Sequence, residues 1–259
     1  MKKSPFLIII SFILIAIILT YIFKKRYQNN SPKTEELSTI IVGISADYPP
    51  FTYVDHDKIV GFDIDLMNEL AHRLEKKVEF KDLPFEMLIP EIQLGHIHMM
   101  AGGMTPQEER IKHVLFTKPY IADDHLLVIS RSDEPKVTSL ADLNNKEIIV
   151  NEGYTADAYM SMLSGPILKR LPTVSDAFLA LMSKRAFAFV TAAIAVKPFF
   201  DLYSKDVFHI YVIPSVSESY ALAVGKNYKT LLMQINTELE KMKEDKFIEK
   251  LKQKWGIAS

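Results

Sequence analysis

From residue 39 onward the sequence alternates short runs rich in β-branched residues with stretches of helical periodicity, and this alternation limits the fold more than any other feature. Residues 39–45 (TIIVGIS) have the length and composition of a buried strand. They lead into Asp47, Tyr48, Pro49 and Pro50, a turn-prone polar loop. Beyond Gly61, the residues Phe62, Leu66, Leu70 and Leu74 recur at fourfold spacing and share one face of a helix that runs to about Lys76. Asp63 and Asp65 fall in its first turn, where carboxylates suit the positive helix end. The order then repeats, with strands at 78–81, 97–101 and 125–130, helices at 86–94 and 106–111, and a polar segment at 131–136 that reads as a crossing between lobes. A second set follows, with strands at 147–151, 167–171, 187–191 and 207–213 around helices at 155–163, 175–183 and 194–203. A return strand at 220–224 and an amphipathic helical region at 228–255 complete the chain. The pattern predicts an α/β protein of two lobes, the first interrupted by the second. Ligands of such folds lie in the crevice at the carboxyl ends of the strands.

Composition removes several functional classes. The chain has no cysteine, which excludes a disulfide framework, thiolate metal sites, a cysteine nucleophile and a lipid on an amino-terminal cysteine. Residues 1–26 hold Lys2, Lys3, Lys24, Lys25 and Arg26 without an acid, so the formal net charge of −1 conceals an acidic body with no basic stripe for nucleic acid. Residues 4–23 carry no charge and as a helix span about 30 Å, the thickness of a bilayer's hydrocarbon core. They read as a membrane-targeting segment. The absence of a small-x-small site after it favours an uncleaved signal anchor over a signal peptide. Residues 27–38 are polar and read as a tether, and the folded body spans 39–259, with one lobe at about 39–127 and 220–259 and the other at about 128–219.

At YPPFTY (48–53), GFDIDL (61–66), AGGMTPQEER (101–110) and NEGYTADAY (151–159), in this order and spacing, the sequence resembles the amino-acid-binding proteins of ABC importers, the bacterial extracellular solute-binding family 3 that includes arginine-, lysine/histidine- and glutamine-binding proteins. The resemblance covers nearly the whole body. It implies a two-lobed periplasmic-binding-protein-like (type II) fold with two hinge strands that close over one amino acid. It also assigns the site. Arg110 matches the arginine that forks onto the ligand's α-carboxylate, a geometry that a lysine does not provide. Gly103 and Thr105 match positions whose backbone and hydroxyl hold the ligand's ammonium and carboxylate. Tyr48 and Phe85 match the aromatics that sandwich its side chain, and Thr155 matches the N–H that caps the carboxylate when the lobes close.

Two positions depart from the family pattern. The acid that accepts the ligand's α-ammonium falls on Thr191, or on Ala192 with a shift of one residue. Three readings follow: Glu152 or Asp157 replaces it, the ligand differs, or affinity is low. The first-strand Asp that reads a basic side chain falls on Ser45, with Asp47 close by. His96 and His98 share one strand face, but no third ligand stands at a recognisable spacing, and they read as a polar face rather than a metal site. The resemblance implies a non-enzymatic receptor without metal or cofactor, a monomer that takes a polar and possibly basic amino acid and hands it to an ABC permease. Its expected location is periplasmic, tethered to the inner membrane. An enzyme like the cyclohexadienyl dehydratases, or a sensory surface protein that keeps the fold without transport, are the alternatives.

Overall fold

The computed structural model describes residues 37–257, so the segment expected to enter the membrane lies outside the described residues. Among the described residues, no helix is long and apolar enough to cross a membrane. The described residues form thirteen strands: β1 (Thr39–Ile44), β2 (Asp47–Tyr48), β3 (Thr52–Asp55), β4 (Lys58–Val60), β5 (Lys77–Asp82), β6 (Met99–Met100), β7 (Leu115–Phe116), β8 (Ile121–Arg131), β9 (Glu147–Asn151), β10 (Ile167–Leu171), β11 (Ala188–Ala192), β12 (Phe208–Tyr220) and β13 (Ala223–Val224). They form two five-stranded sheets, ordered β5-β1-β6-β13-β7 and β10-β9-β11-β8-β12, and a small antiparallel sheet β2-β3-β4. The body is therefore an α/β fold of two lobes.

The first lobe is built on β1, whose Ile40, Val42 and Ile44 are fully buried, with β5 and β6 parallel to it on either side. The helix Phe62–Arg73 buries Phe62, Leu66 and Leu70 together with Met67 and Ala71, as the fourfold spacing requires. The third expected strand, at 97–101, is reduced to Met99–Met100, because Gly102 and Gly103 take φ of 131° and 66° and turn the chain out of the sheet. The carboxy-terminal region forms two helices, Lys229–Glu244 and Phe247–Lys254, broken at Lys246, whose φ is 61°. Arg73 pairs with Asp245 at 2.7 Å. Asp65 accepts from Lys254 Nζ and Trp255 Nε1 at 2.6 and 2.8 Å, which fastens the end of the chain to the first helix.

The second lobe surrounds a core of Leu126, Val128, Ile148, Val150, Met160, Val190 and Ile213. Its β9, β10 and β11 are parallel, and β8 runs antiparallel to both β11 and β12. The lobes are joined where β8 and β12 pair, from Ile121 opposite Tyr220 to Arg131 opposite Phe208. This corrects the crossing expected at 131–136. Arg131 lies at the far end of the second lobe, buried, where it donates to the carbonyls of Leu181 and Ala186 at 2.8 and 3.2 Å and pairs with Asp133 and Glu134. The sequence reading placed the crossing on a charged stretch because it ended the strand at Ser130. The actual passage is in the early part of β8, where acids interrupt the apolar pattern.

Gly61 is where the first helix meets the loop that carries Tyr48. It has φ of 140°, and a Cβ there would stand 2.1 Å from the carbonyl oxygen of Phe51. The Gly61→Ala variant is expected to lose about 2–4 kcal/mol of unfolding free energy, measured by urea denaturation, from backbone strain and the collision together.

Candidate functional site

The loop after β1 sets the first wall. Thr52 Oγ1 donates to the carbonyl of Ser45 at 2.6 Å, and Ser45 Oγ donates to Asp47 Oδ1 at 2.9 Å, which pins the loop to the strand end. Burial raises the Asp47 carboxyl above its usual range, opposed by the bond from Ser45. Tyr48 stacks on Phe51 with centroids 5.4 Å apart, and Phe51 packs edge-on against Tyr220 at 4.7 Å. The ring of Tyr48 is thus held from behind by buried aromatics.

The second wall is the glycine loop. Asp63, fully buried in the first turn of its helix, accepts from the backbone N–H of Gly102 at 2.5 Å, the N–H of Gly103 at 2.9 Å and the hydroxyl of Tyr120 at 2.7 Å, all on Oδ2. A Cβ on Gly103 would lie 2.7 Å from Tyr48 Cε1 and 2.9 Å from Phe51 Cδ2, so only glycine lets this backbone lie against the aromatic loop. Sequence reasoning placed Asp63 as a charge at a helix start; its particular work is to tether the glycine loop. Burial raises its carboxyl to about 6, and the bonds from Tyr120, Gly103 and Gly102 oppose that rise.

Arg110, on the short helix Glu108–Ile111, is 7% exposed. Its Nη1 donates to the Thr105 carbonyl at 3.0 Å and its Nη2 to the Gly153 carbonyl at 2.8 Å, so one guanidinium joins both lobes. It lies over the ring of Phe85 at 5.3 Å. Burial lowers its pKa to about 10, opposed by the nearby Glu218, and the group stays charged at neutral pH. Thr155 begins the helix Thr155–Met160; its hydroxyl accepts from Gln107 Nε2 at 2.8 Å, a second bond between the lobes, and donates to Glu218. The hydroxyls of Thr105 and Tyr154 are buried without a protein partner. The structure therefore brings Tyr48, Phe85, Gly103, Thr105, Arg110 and Thr155 to one cleft, with Ser45 at its edge behind Asp47.

Thr191 is buried on β11, opposite Leu127 of β8. Neither acid named as its replacement is available there. Glu152 is exposed, and Asp157 is occupied within the second lobe by the Gly153 N–H, Ser161 and Arg170. Two other acids are, and sequence reasoning missed both. Asp124 of β8 accepts from the N–H of Ile194 at 3.1 Å, beside Ala192, and from the Tyr220 hydroxyl at 2.5 Å. Glu218 of β12 accepts from the same hydroxyl at 2.7 Å. A phenol has one hydrogen, so Tyr220 donates to one of these two carboxyls at a time. Burial raises both carboxyls above their usual ranges, and bonds from Tyr220 to Asp124 and from Thr155 to Glu218 oppose the rise. The available signal was an acid inside each strand that joins the lobes. A φ of 63° at Asp123 and a register shift between Glu218 and Tyr220 mark the irregularity that turns these acids inward.

His98 Nδ1 accepts from the N–H of Ile41 at 3.1 Å and so continues the edge of β1, while His96 pairs with Glu91 at 3.0 Å. Among the described residues, no group of three or more metal-ligating side chains is present.

Two lobes joined by paired strands, with a buried cation, buried acids and aromatic rings between them, define a solute-binding protein of the clamshell class. The sequence matches bacterial extracellular solute-binding proteins, family 3, over residues 40–258, and the chain belongs to that family. It is 30% identical over 248 residues to the arginine-binding extracellular protein ArtP of Bacillus subtilis, an alignment covering 94% of this chain and 96% of ArtP. An ancestral arginine-binding protein solved with bound arginine superposes with a TM-score of 0.78 at 35% identity, covering 84% of this chain and 98% of that one. An ancestral amino-acid-binding protein described as a precursor of cyclohexadienyl dehydratase gives 0.77 at 31% identity, covering 84% and 95%.

The Asp63→Ala variant leaves three donors without their acceptor and is expected to lose about 2–4 kcal/mol by urea denaturation at pH 7, while Asp63→Asn, which keeps an accepting oxygen, loses less. Because the folded-state pKa of Asp63 lies above its ordinary value of 3.8, at about 6, the folded state holds its proton more tightly. The stability of the wild type relative to Asp63→Asn should therefore fall as pH rises from about 4 through about 6.

Proposed function

We propose that this chain is the extracytoplasmic receptor of an ABC importer, closing its two lobes on a polar α-amino acid and presenting the closed form to a permease. The observation that carries the reading is Arg110: a buried guanidinium, bonded to one carbonyl of each lobe, that keeps further donors for a ligand carboxylate. Closure and carboxylate binding then draw on the same side chain. Glu218, in place of an acid at Thr191, receives the α-ammonium, and Asp124 and Tyr220 hold it in position. Tyr48 and Phe85 form the side-chain end of the site, Gly103 and Thr105 supply backbone and hydroxyl, and Ser45 with Asp47 lies at its edge. Residues 4–23 attach the body to the membrane, and the receptor acts as a monomer. The names of the relatives, several of which bind arginine, support an amino acid as the class of ligand.

A second reading has a specific observation in its favour. Buried acids with raised pKa next to a carboxylate-binding arginine are what a dehydratase acting on prephenate or arogenate requires, and Glu218 and Asp124 are such acids although the family's acid position falls on Thr191. Against it, Glu218 is already bonded to Tyr220 and Thr155, an arrangement suited to holding a fixed charge.

Isothermal titration of the protein against the twenty amino acids tests the receptor. Arg110→Ala should weaken binding at least tenfold, or about 1.4 kcal/mol, and Glu218→Gln should do likewise. Because the ionised form of Glu218 receives the ammonium and burial raises its pKa, affinity should decline as the pH is lowered from neutral, beginning above the usual range of a glutamate, and Glu218→Gln should remove most of that dependence. Incubation with prephenate should give no phenylpyruvate; turnover would establish the dehydratase reading instead.

A further inference from the structure

Tyr154 lies at the junction of the two lobes, immediately before the helix Thr155–Met160, and its ring meets both aromatics of the first lobe. It contacts Tyr48 edge-on with centroids 5.4 Å apart and lies tilted on Phe85 at 4.6 Å. A side chain that met both of these rings would need the space that the Tyr154 ring takes against them, edge-on to Tyr48 and tilted on Phe85. Its backbone leaves little room for retreat. The Tyr154 N–H donates to the Asn151 carbonyl at 3.2 Å, and the preceding Gly153 carbonyl is held by Arg110 at 2.8 Å. The ring is 9% exposed, and its hydroxyl, buried without a protein partner, has Asp47, Arg110, Glu218 and Glu86 as its electrostatic neighbours. Of these, Asp47 and Glu86 belong to the first lobe and lie on the side of the ring where a long basic side chain would find its counter-charge.

We propose that Tyr154 sets the length of side chain the site admits: its ring occupies the slot between Tyr48 and Phe85, so amino acids with short polar side chains are accepted and long ones must displace it. The inference rests on the amino-acid reading above and adds a ligand subclass to it. A side chain as short as that of serine ends before the slot, and the donors that Arg110 has left over and the Glu218 carboxylate hold its carboxylate and ammonium. A side chain as long as that of arginine can enter only after the phenol leaves two aromatic contacts and an enclosed position.

The test is calorimetric titration of the full chain with serine and with arginine, in the wild type, Tyr154→Ser and Tyr154→Phe. The wild type should bind serine at least tenfold more tightly than arginine. Tyr154→Ser should tighten arginine binding at least tenfold and change serine binding less than about threefold, about 0.7 kcal/mol. Tyr154→Phe, which keeps the ring and loses only the hydroxyl, should retain the wild-type preference. Arginine bound by the wild type as tightly as serine, or arginine binding unchanged or weakened in Tyr154→Ser, overturns the slot assignment and leaves the receptor reading standing. If the wild type and Tyr154→Ser are both folded by circular dichroism and neither binds any of the twenty amino acids, the receptor reading itself falls, and this inference with it.

Discussion

A guanidinium taken out of water loses several kcal/mol of solvation unless the interior supplies acceptors and counter-charge, and the cleft is arranged around meeting that cost at Arg110. The carbonyls of Thr105 and Gly153 accept from it, Phe85 presents a ring face, and Glu218 provides negative charge nearby. Because Gly153 belongs to the second lobe, the charge is satisfied in this way only with the lobes together. Separating them exposes Arg110 to water, which also solvates it well. Two environments that both tolerate one charge are what a hinged clamp needs, since neither the open nor the closed form is then strongly disfavoured.

The acids follow the same logic from the other side. Asp124 and Glu218 stand on the two strands that join the lobes, and Tyr220 touches both carboxylates while its ring supports Phe51 and, through it, Tyr48. The hinge, the counter-charge and the aromatic wall therefore share one residue. Asp63 performs a related service for the glycine loop, giving up solvation to hold two backbone N–H groups in place. The residues proposed to meet the ligand are supported by buried groups that need not touch it, which is how a site remains ordered without a rigid framework.

Much of the fold was legible because its elements obey one period at a time. The strand β1 and the helix Phe62–Arg73 came close to their expected bounds because β-branched runs and fourfold spacing leave few alternatives. The strands β8 and β12 were read too short, since Asp123, Asp124 and Glu218 interrupt the apolar pattern where the strands leave one lobe for the other. The grouping of residues at the candidate site was legible where motifs fall within one segment, as with Gly103, Thr105 and Arg110, which the structure places together. It was not legible where it depends on residues far apart in sequence: Glu218 reaching Thr155, Asp124 reaching the helix after Thr191, and Tyr154 lying across Tyr48 and Phe85 are products of the lobes' packing. Sequence reasoning named Glu152 or Asp157 in place of an acid at Thr191, whereas the structure offers acids from the joining strands.

The placement of β13 has a consequence for the order in which the protein can be made. In the first sheet β13 lies between β6 and β7, so β7 has no partner in that sheet until residues beyond Tyr220 have been synthesised. The sheet of the second lobe draws on a continuous stretch, from β8 to β12, and can be completed earlier. During synthesis the inserted lobe is thus able to fold while the lobe that precedes it in sequence still waits for its last strand and the two terminal helices. The lobe whose strands come first in the sequence is thus the last to be completed, and its sheet is closed by residues that the ribosome adds after the whole of the other lobe.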